Sequence, residues 1–499
     1  MPTLSFSYTA LPYLLFFAAV FGIYAVVPKS MRAPWLLLAG FGYAILLSPQ
    51  SAVFALGVLA VTYVAGLLLG GDISKKQKQA ALTVSLLAIF GLLGALKYGG
   101  LLAADAVKLV NFFGGSWQPR IKTVALPIGV SFYSFAACGY LIDVYRGARQ
   151  AERNFLKYGL FLVFFPLFVS GPIERADNFL EQIDHIETIE IIDAPRIGAG
   201  ALMILWGYFL KLVIADRAAL LVNNVFDRFW AYNSFALFVG AVTYAIQIYA
   251  DFAGVSCMAL GGAQIFGFSV TDNFDAPYFS TSIKDFWRRW HISLSRWFRD
   301  YLYIPLGGNR KGQGRKYLNI LIVFLVCGIW HGANRTFLAW GLLHGVYQIV
   351  GDLTKAKRRA LYDRLHMDMT RLPFRVISTV CNFLLVTLAW IVFRADSLTN
   401  AGIYIFRMFT QIDLWNVMNG SIYNLGLDNT EMNILFIAAA VMFFADYWRY
   451  KKKKNVPQLL TAQPPLVKYL LPAALLIAVL VFGSYGMSFP AQAFIYAEF

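Results

Sequence analysis

The chain has 499 residues, of which 59% are hydrophobic, 16% are aromatic and only 14% are charged. A soluble protein of this length would carry roughly 25% charged residues, so the composition excludes an ordinary soluble domain. The formal net charge is +16, but basic residues collect in the cytoplasmic loops of membrane proteins. We therefore interpret the excess of basic residues as loops that set the orientation of the protein in the membrane, rather than as a nucleic-acid-binding surface.

Apolar runs long enough to cross a bilayer recur along the whole chain. A bilayer core about 30 Å thick needs a helix of about 20 apolar residues. The sequence therefore predicts an all-α polytopic membrane protein, one domain over residues 1–499 with about 12 crossings plus re-entrant and interfacial helices. The predicted spans are Leu11–Val27, Ala52–Leu69, Ala80–Leu96, Leu126–Ile142, Gly200–Val222, Ser234–Phe252, Phe374–Val392 and Leu466–Phe482, with Trp35–Leu47 and Ile434–Phe444 as shorter candidates.

Basic clusters between these runs predict the orientation in the cell membrane. Lys29 and Arg32 follow the first run, which lacks the features of a cleavable signal, so the N-terminus is expected outside. The lysine-free segment Asp396–Glu431 is also expected outside, and the alternation of sides then makes both termini extracytoplasmic. Tyr158–Pro172 is apolar but short and interrupted by Pro166, which indicates a re-entrant element buried in protein.

The stretch Phe286–Gly312, "FWRRWHISLSRWFRDYLYIPLGGNRKG", combines aromatic rings, arginines and one histidine. At helical spacing its aromatic residues fall on adjacent stripes, which predicts an amphipathic interfacial helix. It is either an in-plane anchor on the inner leaflet or a cytoplasmic site for an anionic ligand, since arginine binds phosphate groups well. Composition alone leaves both open. The candidate donor-binding residues are Arg288, Arg289, Arg296 and Arg299.

A second histidine, His331, lies deep in an apolar run. Fourteen residues separate it from Tyr317, which places it roughly 21 Å along a helix and past the membrane midplane. An ionisable residue at such depth indicates function, and a histidine suits a general base acting on a hydroxyl. The alternative is a buried neutral histidine bonded to a neighbour. Gly332 and Asn334 predict a helix break, and for His344 a packing role explains the position equally well.

Other chemistries find little support in the sequence. Cys327–Gly345 contains no Asp or Glu, and no HxxxH or HxxE spacing occurs, so no metal site is expected. GxSxG and Walker signatures are also absent. The cysteines have no CxxC spacing and are interpreted as core residues. They are Cys138, Cys257, Cys327 and Cys381.

Two blocks together, "FWRRWHISLSRWFRDYLYIPLGGNR" and "GIWHGAN…WGLLHG", resemble the membrane-bound O-acyltransferase family. The resemblance is strongest to its bacterial alginate-type polysaccharide O-acetyltransferase branch, with the teichoic acid D-alanyl transfer proteins as relatives. It extends over roughly the whole chain. Supporting blocks are "LPIGVSFYSF", "LIDVYRG", "FPLFVSGPI", "QIYADFAGVS", "WIVFRA" and the terminal "FIYAEF".

The resemblance implies a ring of helices around a thin centre, with funnels on both faces. His331 matches the family's catalytic histidine and His291 the second histidine of the bacterial branch, with Trp330 and Asn334 as supporting residues. The implied donor is cytoplasmic acetyl-CoA, with an acyl carrier protein as the alternative, and no bound cofactor is expected. The implied partners are an extracytoplasmic acetyltransferase or acyl-acceptor protein and a polysaccharide, with no nucleic acid.

One departure and three rival functions remain open at this point. Alginate-type members carry an aspartate after "GYS", whereas Cys257 follows "GVS" here, which leaves the polymer undetermined. A D-alanyltransferase would take its acyl group from a carrier protein. A transporter or flippase would move an intact substrate and consume no thioester. In a non-catalytic scaffold, His331 would be dispensable.

Overall fold

The structure, a computed structural model, describes residues 6–116, 126–369, 371–412, 415, 419–461, 463–485 and 495. These residues form helices and no strand, which confirms the all-α prediction. The terminal "FIYAEF" block lies outside the described residues except for Ile495, and so do the first five and the last four residues of the chain.

The helices of the described residues are numbered in chain order. They are α1 (Leu11–Val26), α2 (Arg32–Leu47), α3 (Pro49–Gly70), α4 (Lys75–Phe112), α5 (Val130–Tyr145), α6 (Phe155–Val163), α7 (Phe165–Phe168), α8 (Ala176–Asp184), α9 (Ala194–Tyr208), α10 (Asp216–Asp227), α11 (Ser234–Ile265), α12 (Ile283–Arg289), α13 (Ile292–Phe298), α14 (Gly312–His331), α15 (Arg335–Leu353), α16 (Lys355–Arg364), α17 (Leu372–Arg394), α18 (Leu398–Thr410), α19 (Asn429–Lys452), α20 (Val456–Thr461) and α21 (Pro465–Phe482).

Seven helical segments in the described ranges are long and apolar enough to cross a membrane, and Leu11–Val26 and Leu466–Phe482 are shorter apolar helices. This confirms a polytopic membrane protein, while the number of about 12 crossings stays a prediction. The seven segments are Lys29–Leu47, Pro49–Gly70, Lys75–Phe112, Ala194–Asp227, Ser234–Ile265, Leu372–Arg394 and Asn429–Lys452.

The chain divides into two compact units, and the first contains the residues up to Ile204 together with Met258–Thr271. In this unit the predicted re-entrant segment is broken as its proline indicates. Phe164 leaves the helical conformation between α6 and α7, and Pro166 lies in the first turn of α7. All residues from Tyr158 to Pro166 are buried, and neither helix is long enough to span a bilayer.

Helix α4 is much longer than its predicted span. It has 38 residues, or about 57 Å at 1.5 Å per residue, whereas the sequence predicted only Ala80–Leu96. A capping box between Ser74 and Gln77 starts it five residues earlier. At the other end α4 continues past Leu96 to Phe112, because the lysine at position 97 does not break a helix and alanines and leucines continue it.

The second unit contains Leu205–Cys257 and Asp272–Ile495. Between α9 and α10 the helix widens into a π-helical segment, Phe209–Ala215. There, Lys211 Nζ lies 2.8 Å from Asp216 Oδ1 and 2.7 Å from Asp251 Oδ1. All three side chains are buried, so the one cation offsets part of the cost of placing both carboxylates where water is excluded.

Helices α14 and α15 form a tightly packed hairpin in the second unit. A Cβ atom on Gly328 would lie 2.5 Å from the carbonyl oxygen of Phe337, so only glycine allows this approach. The hairpin turns at Gly332, whose φ is 156°, and the Asn334 side chain accepts a hydrogen bond from Thr336 N at 3.1 Å to begin α15. The predicted break after His331 is therefore confirmed.

Candidate active site

His331 is the last residue of α14 and is only 2% exposed. Its ring centroid lies 4.7 Å from that of Trp330, 5.0 Å from that of Trp340 and 5.2 Å from that of Phe393. The imidazole is thus enclosed by aromatic rings at the point where α14 ends. The Asn334 amide stabilises the turn that follows His331, since its Nδ2 also donates to the carbonyl of Asp396 at 3.1 Å.

The prediction of one amphipathic interfacial helix over the arginine-rich stretch is wrong. The structure has two short helices, α12 and α13, with His291 between them in the left-handed conformation at φ 42°. The aromatic side chains predicted to anchor in the membrane surface are instead buried in protein, as Phe286 and Trp290 show with 0% and 1% exposure.

The break at His291 has a local cause that periodicity does not reveal. Asp275 N donates to the carbonyl of Arg289 at 3.0 Å, and Ile292 N donates to the carbonyl of Asn273 at 2.9 Å. These bonds draw the backbone on either side of His291 against an extended segment, so a continuous helix cannot form there.

Side chains reinforce this connection. Asn273 Nδ2 donates to Ser256 Oγ at 3.2 Å, and Ser293 Oγ donates to Asn273 Oδ1 at 2.6 Å. All three residues are buried. Sequence reasoning missed Asn273, because its partners lie 17 and 20 residues away and no local pattern links them.

His291 is 1% exposed and packs edge-on against Phe252, with ring centroids 4.7 Å apart. It lies outside the candidate membrane spans, and burial lowers the pKa of its imidazole to about 3, so the ring is neutral at physiological pH. The half-buried Trp330 indole lies 6.0 Å from the His291 ring. The structure therefore brings the rings of His291, Trp330 and His331 into one cluster.

A cavity of about 1900 Å³ lies within the second unit. It is larger than the roughly 300–1,000 Å³ of common small-ligand sites. Along α14 it extends from Lys316 to Cys327, which is about 16 Å at helical rise. Nine basic side chains line it, and Asp352 is the one carboxylate among its lining residues. The nine are Lys284, Arg288, Arg296, Arg299, Lys316, Lys355, Arg358, Arg359 and Arg375.

Three of the four predicted donor-binding arginines line this cavity, namely Arg288, Arg296 and Arg299. Arg289 does not. Its guanidinium forms ion pairs with Asp275 at 3.2 Å and Asp285 at 3.1 Å, so it holds the connection around α12. The sequence identified the cations of α16 and the start of α17 only as a cytoplasmic cluster, because it did not show that they face the arginines of α12 and α13.

The inner end of the cavity is apolar and lies close to the buried histidine. Here the lining residues include Trp287, Leu294 and Cys327. Cys327 lies one helical turn before His331, or about 6 Å along α14. His331 and His291 are not themselves lining residues. Trp340 lies between the cavity wall and His331, since its ring packs against both Trp287 and His331.

Comparisons with known proteins identify the family of this chain. The model of the membrane-bound O-acyltransferase family matches residues 146–393, which include α12 to α15. A probable alginate O-acetylase of Pseudomonas putida is 34% identical over 440 residues, 87% of this chain and 86% of that protein. A peptidoglycan O-acetyltransferase of Helicobacter pylori is 30% identical over 393 residues, 74% of this chain and 72% of that protein.

A teichoic acid D-alanyltransferase of Streptococcus thermophilus is more distant, at 29% identity over 259 residues, 49% of this chain and 62% of that protein. Similarity to the probable alginate O-acetylase, by contrast, extends over most of both chains. Together with the matching family model and the apolar helices, it shows that this integral membrane protein belongs to the membrane-bound O-acyltransferase family and is an O-acyltransferase.

Proposed function

We propose that this enzyme moves an acetyl group from cytoplasmic acetyl-CoA across the membrane, for O-acetylation of a cell-surface or exported polysaccharide. The observation that carries the proposal is the basic cavity, whose apolar inner end lies one helical turn from the buried His331. An extracytoplasmic acetyltransferase or acyl-acceptor protein completes the transfer, and both chain termini lie outside the cytoplasm.

The cavity suits a large anionic thioester at its basic end. Coenzyme A carries several phosphate charges, which arginine binds through paired N–H donors. Within the described residues, Arg288 and Arg296 form no hydrogen bond or ion pair, so their guanidinium groups are available to phosphates. With the phosphates held there, the pantetheine arm extends along α14 and brings the thioester to Cys327.

In this proposal His331 acts as the general base. It removes the proton from an acceptor hydroxyl as that oxygen attacks the thioester carbonyl, and the tetrahedral intermediate expels the thiolate. The imidazolium then returns the proton to the thiolate sulfur, so an ester and a free thiol are formed. Base catalysis of this kind typically contributes about 10²- to 10⁴-fold. His291, whose ring lies 6.0 Å from that of Trp330, orients the base or stabilises the oxyanion. Asn334, whose amide is bonded within the turn, positions the backbone beside His331.

The acceptor class follows from the relatives. Those with the greatest coverage are named for O-acetylation of alginate or peptidoglycan, so we propose a polysaccharide hydroxyl as the final acceptor. The second candidate is D-alanyl transfer from an acyl carrier protein to a teichoic-acid-type polymer. Carrier proteins are acidic, and the nine basic side chains would suit one as a donor.

The test uses purified full-length protein, radiolabelled acetyl-CoA and candidate polysaccharide acceptors, with and without the extracytoplasmic partner. We expect labelled polymer and release of free thiol. His331→Ala is expected to abolish both while membrane insertion persists, and His185→Ala, at an exposed histidine, should retain wild-type activity.

Other outcomes distinguish the rivals. Activity with a loaded carrier protein, and none with acetyl-CoA, would favour D-alanyl transfer. Movement of intact substrate without thiol release would indicate a transporter. Full acetylation by His331→Ala would refute the assignment of the base and fit a scaffold.

A further inference from the structure

Trp287 forms part of the inner end of the basic cavity. Its ring centroid lies 5.2 Å from that of Phe324 and 5.7 Å from that of Trp340. The Trp340 ring in turn packs at right angles against His331 at 5.0 Å. A donor that enters with its acyl group first therefore meets Trp287 immediately before the region of the imidazole.

The half-buried Trp287 indole is restrained by a hydrogen bond to a buried histidine. Its Nε1 donates to His344 Nδ1 at 3.2 Å. His344 is 0% exposed, and its ring packs 5.1 Å from that of Trp340. Since Nδ1 accepts this bond, the neutral imidazole carries its proton on Nε2.

Rotation of the indole away from its position would break this bond and leave the Nδ1 atom of the buried His344 without a partner. Such a loss is unfavourable, and rotation would also break the packing of the indole against Phe324 and Trp340. Trp287 is thus held as a wall at the end of the cavity by one hydrogen bond and two ring contacts, whereas an alkyl side chain at this position would lack the hydrogen bond.

We propose that Trp287, held in place by His344, sets the upper size limit of the acyl group. The wall leaves room for an acetyl group near His331 and excludes longer chains. Trp287 is the specificity-determining residue and His344 is a positioning residue that acts through it. This inference rests on the proposed function, because it requires an acyl thioester to enter by the basic end.

The expected effect is a change in selectivity. One additional methylene in a fitted pocket changes kcat/KM by about 10- to 200-fold. Replacement of the indole by a methyl group opens space for several methylenes. Trp287→Ala is therefore expected to raise the ratio of kcat/KM for butyryl-CoA over acetyl-CoA by at least about tenfold.

The experiment measures free-thiol release by the full-length protein with its acceptor, using acetyl-, propionyl- and butyryl-CoA. Trp287→Phe retains an aromatic wall but loses the N–H, and should give an intermediate ratio. His344→Asn keeps an acceptor near the Nδ1 position and should retain the acetyl preference, whereas His344→Leu removes the acceptor and should relax it. Trp230→Ala, at an exposed tryptophan, is the matched control.

The outcomes separate this inference from the proposed function. Suppose that wild-type protein releases thiol from acetyl-CoA, and that the folded Trp287→Ala and Trp287→Phe variants keep the wild-type ratio of kcat/KM for butyryl-CoA over acetyl-CoA. The size-limit proposal is then refuted, and the proposed function stands. If wild-type protein consumes no acetyl-CoA but accepts a loaded carrier, the proposed donor is refuted. Equal ratios in His344→Leu and His344→Asn would remove the positioning role of His344.

Discussion

The neighbouring residues Arg288 and Arg289 are predicted to have different roles, although the sequence treats them alike. Arg288 lines the cavity, and it has no ion-pair partner among the described residues. A charge-assisted hydrogen bond to a phosphate contributes about 1.5–3 kcal/mol, and 1.36 kcal/mol corresponds to a factor of ten. Arg288→Ala should therefore raise KM for acetyl-CoA about 10- to 150-fold, with little change in the free energy of unfolding.

Arg289→Ala is the matched comparison. It removes the guanidinium partner of Asp285 and one of the cations beside Asp275, which keeps Arg449 at 3.7 Å and Lys453 at 3.6 Å. Both carboxylates remain partly exposed, at 34% and 28%, so the expected loss is about 1–2 kcal/mol of stability. Arg289→Ala should lower the midpoint of thermal unfolding. It should not raise KM for acetyl-CoA as much as Arg288→Ala does.

The assay combines steady-state thiol release over a range of acetyl-CoA concentrations with thermal unfolding of the same preparations. Arg288→Lys retains one charge without the paired donors, so it should fall between wild type and Arg288→Ala. An unchanged KM in Arg288→Ala, or an equal rise in Arg289→Ala without loss of stability, would contradict the assignment of the cavity as the donor site.

Three further predictions follow from other parts of the structure. Lys211→Met should lower the free energy of unfolding by about 3–5 kcal/mol, because it leaves two buried carboxylates without their cation; thermal unfolding of the variant in detergent measures this. Gly328→Ala should push α14 away from α15 and reduce kcat without loss of expression, since its Cβ would meet the Phe337 carbonyl. The depressed pKa of His291, about 3 against 6.5 in an exposed histidine, means that the unfolded chain binds the proton first. Stability should therefore fall as pH decreases from about 6.5 towards 3, and less steeply in His291→Gln; equal slopes would contradict this.

The all-helical membrane fold follows from the sequence because its signals are local. Apolar runs of bilayer length specify spanning helices, and the predicted spans Ala52–Leu69 and Phe374–Val392 lie within observed helices. Pro166 and Gly332 specify breaks for equally local reasons, one through its ring and the other through its freedom at positive φ. The resemblance of two motifs to a known family added the expectation that His331 and His291 are site residues.

Other features were decided by tertiary structure. The aromatic stripes of the arginine-rich stretch satisfy helical periodicity, but backbone bonds to the segment around Asn273 break the helix at His291. Arg288 and Arg289 differ only because two carboxylates lie beside one of them.

The basic cavity shows most clearly which features the sequence determines and which the tertiary structure determines. Its cations come from α12, α13, α14, α16 and α17 and from the turn after α13. Sequence alone determined that these residues are basic and on one predicted side of the membrane. Only the packing of the helices decided that they surround one space ending beside His331, because that convergence depends on contacts between residues far apart in the chain.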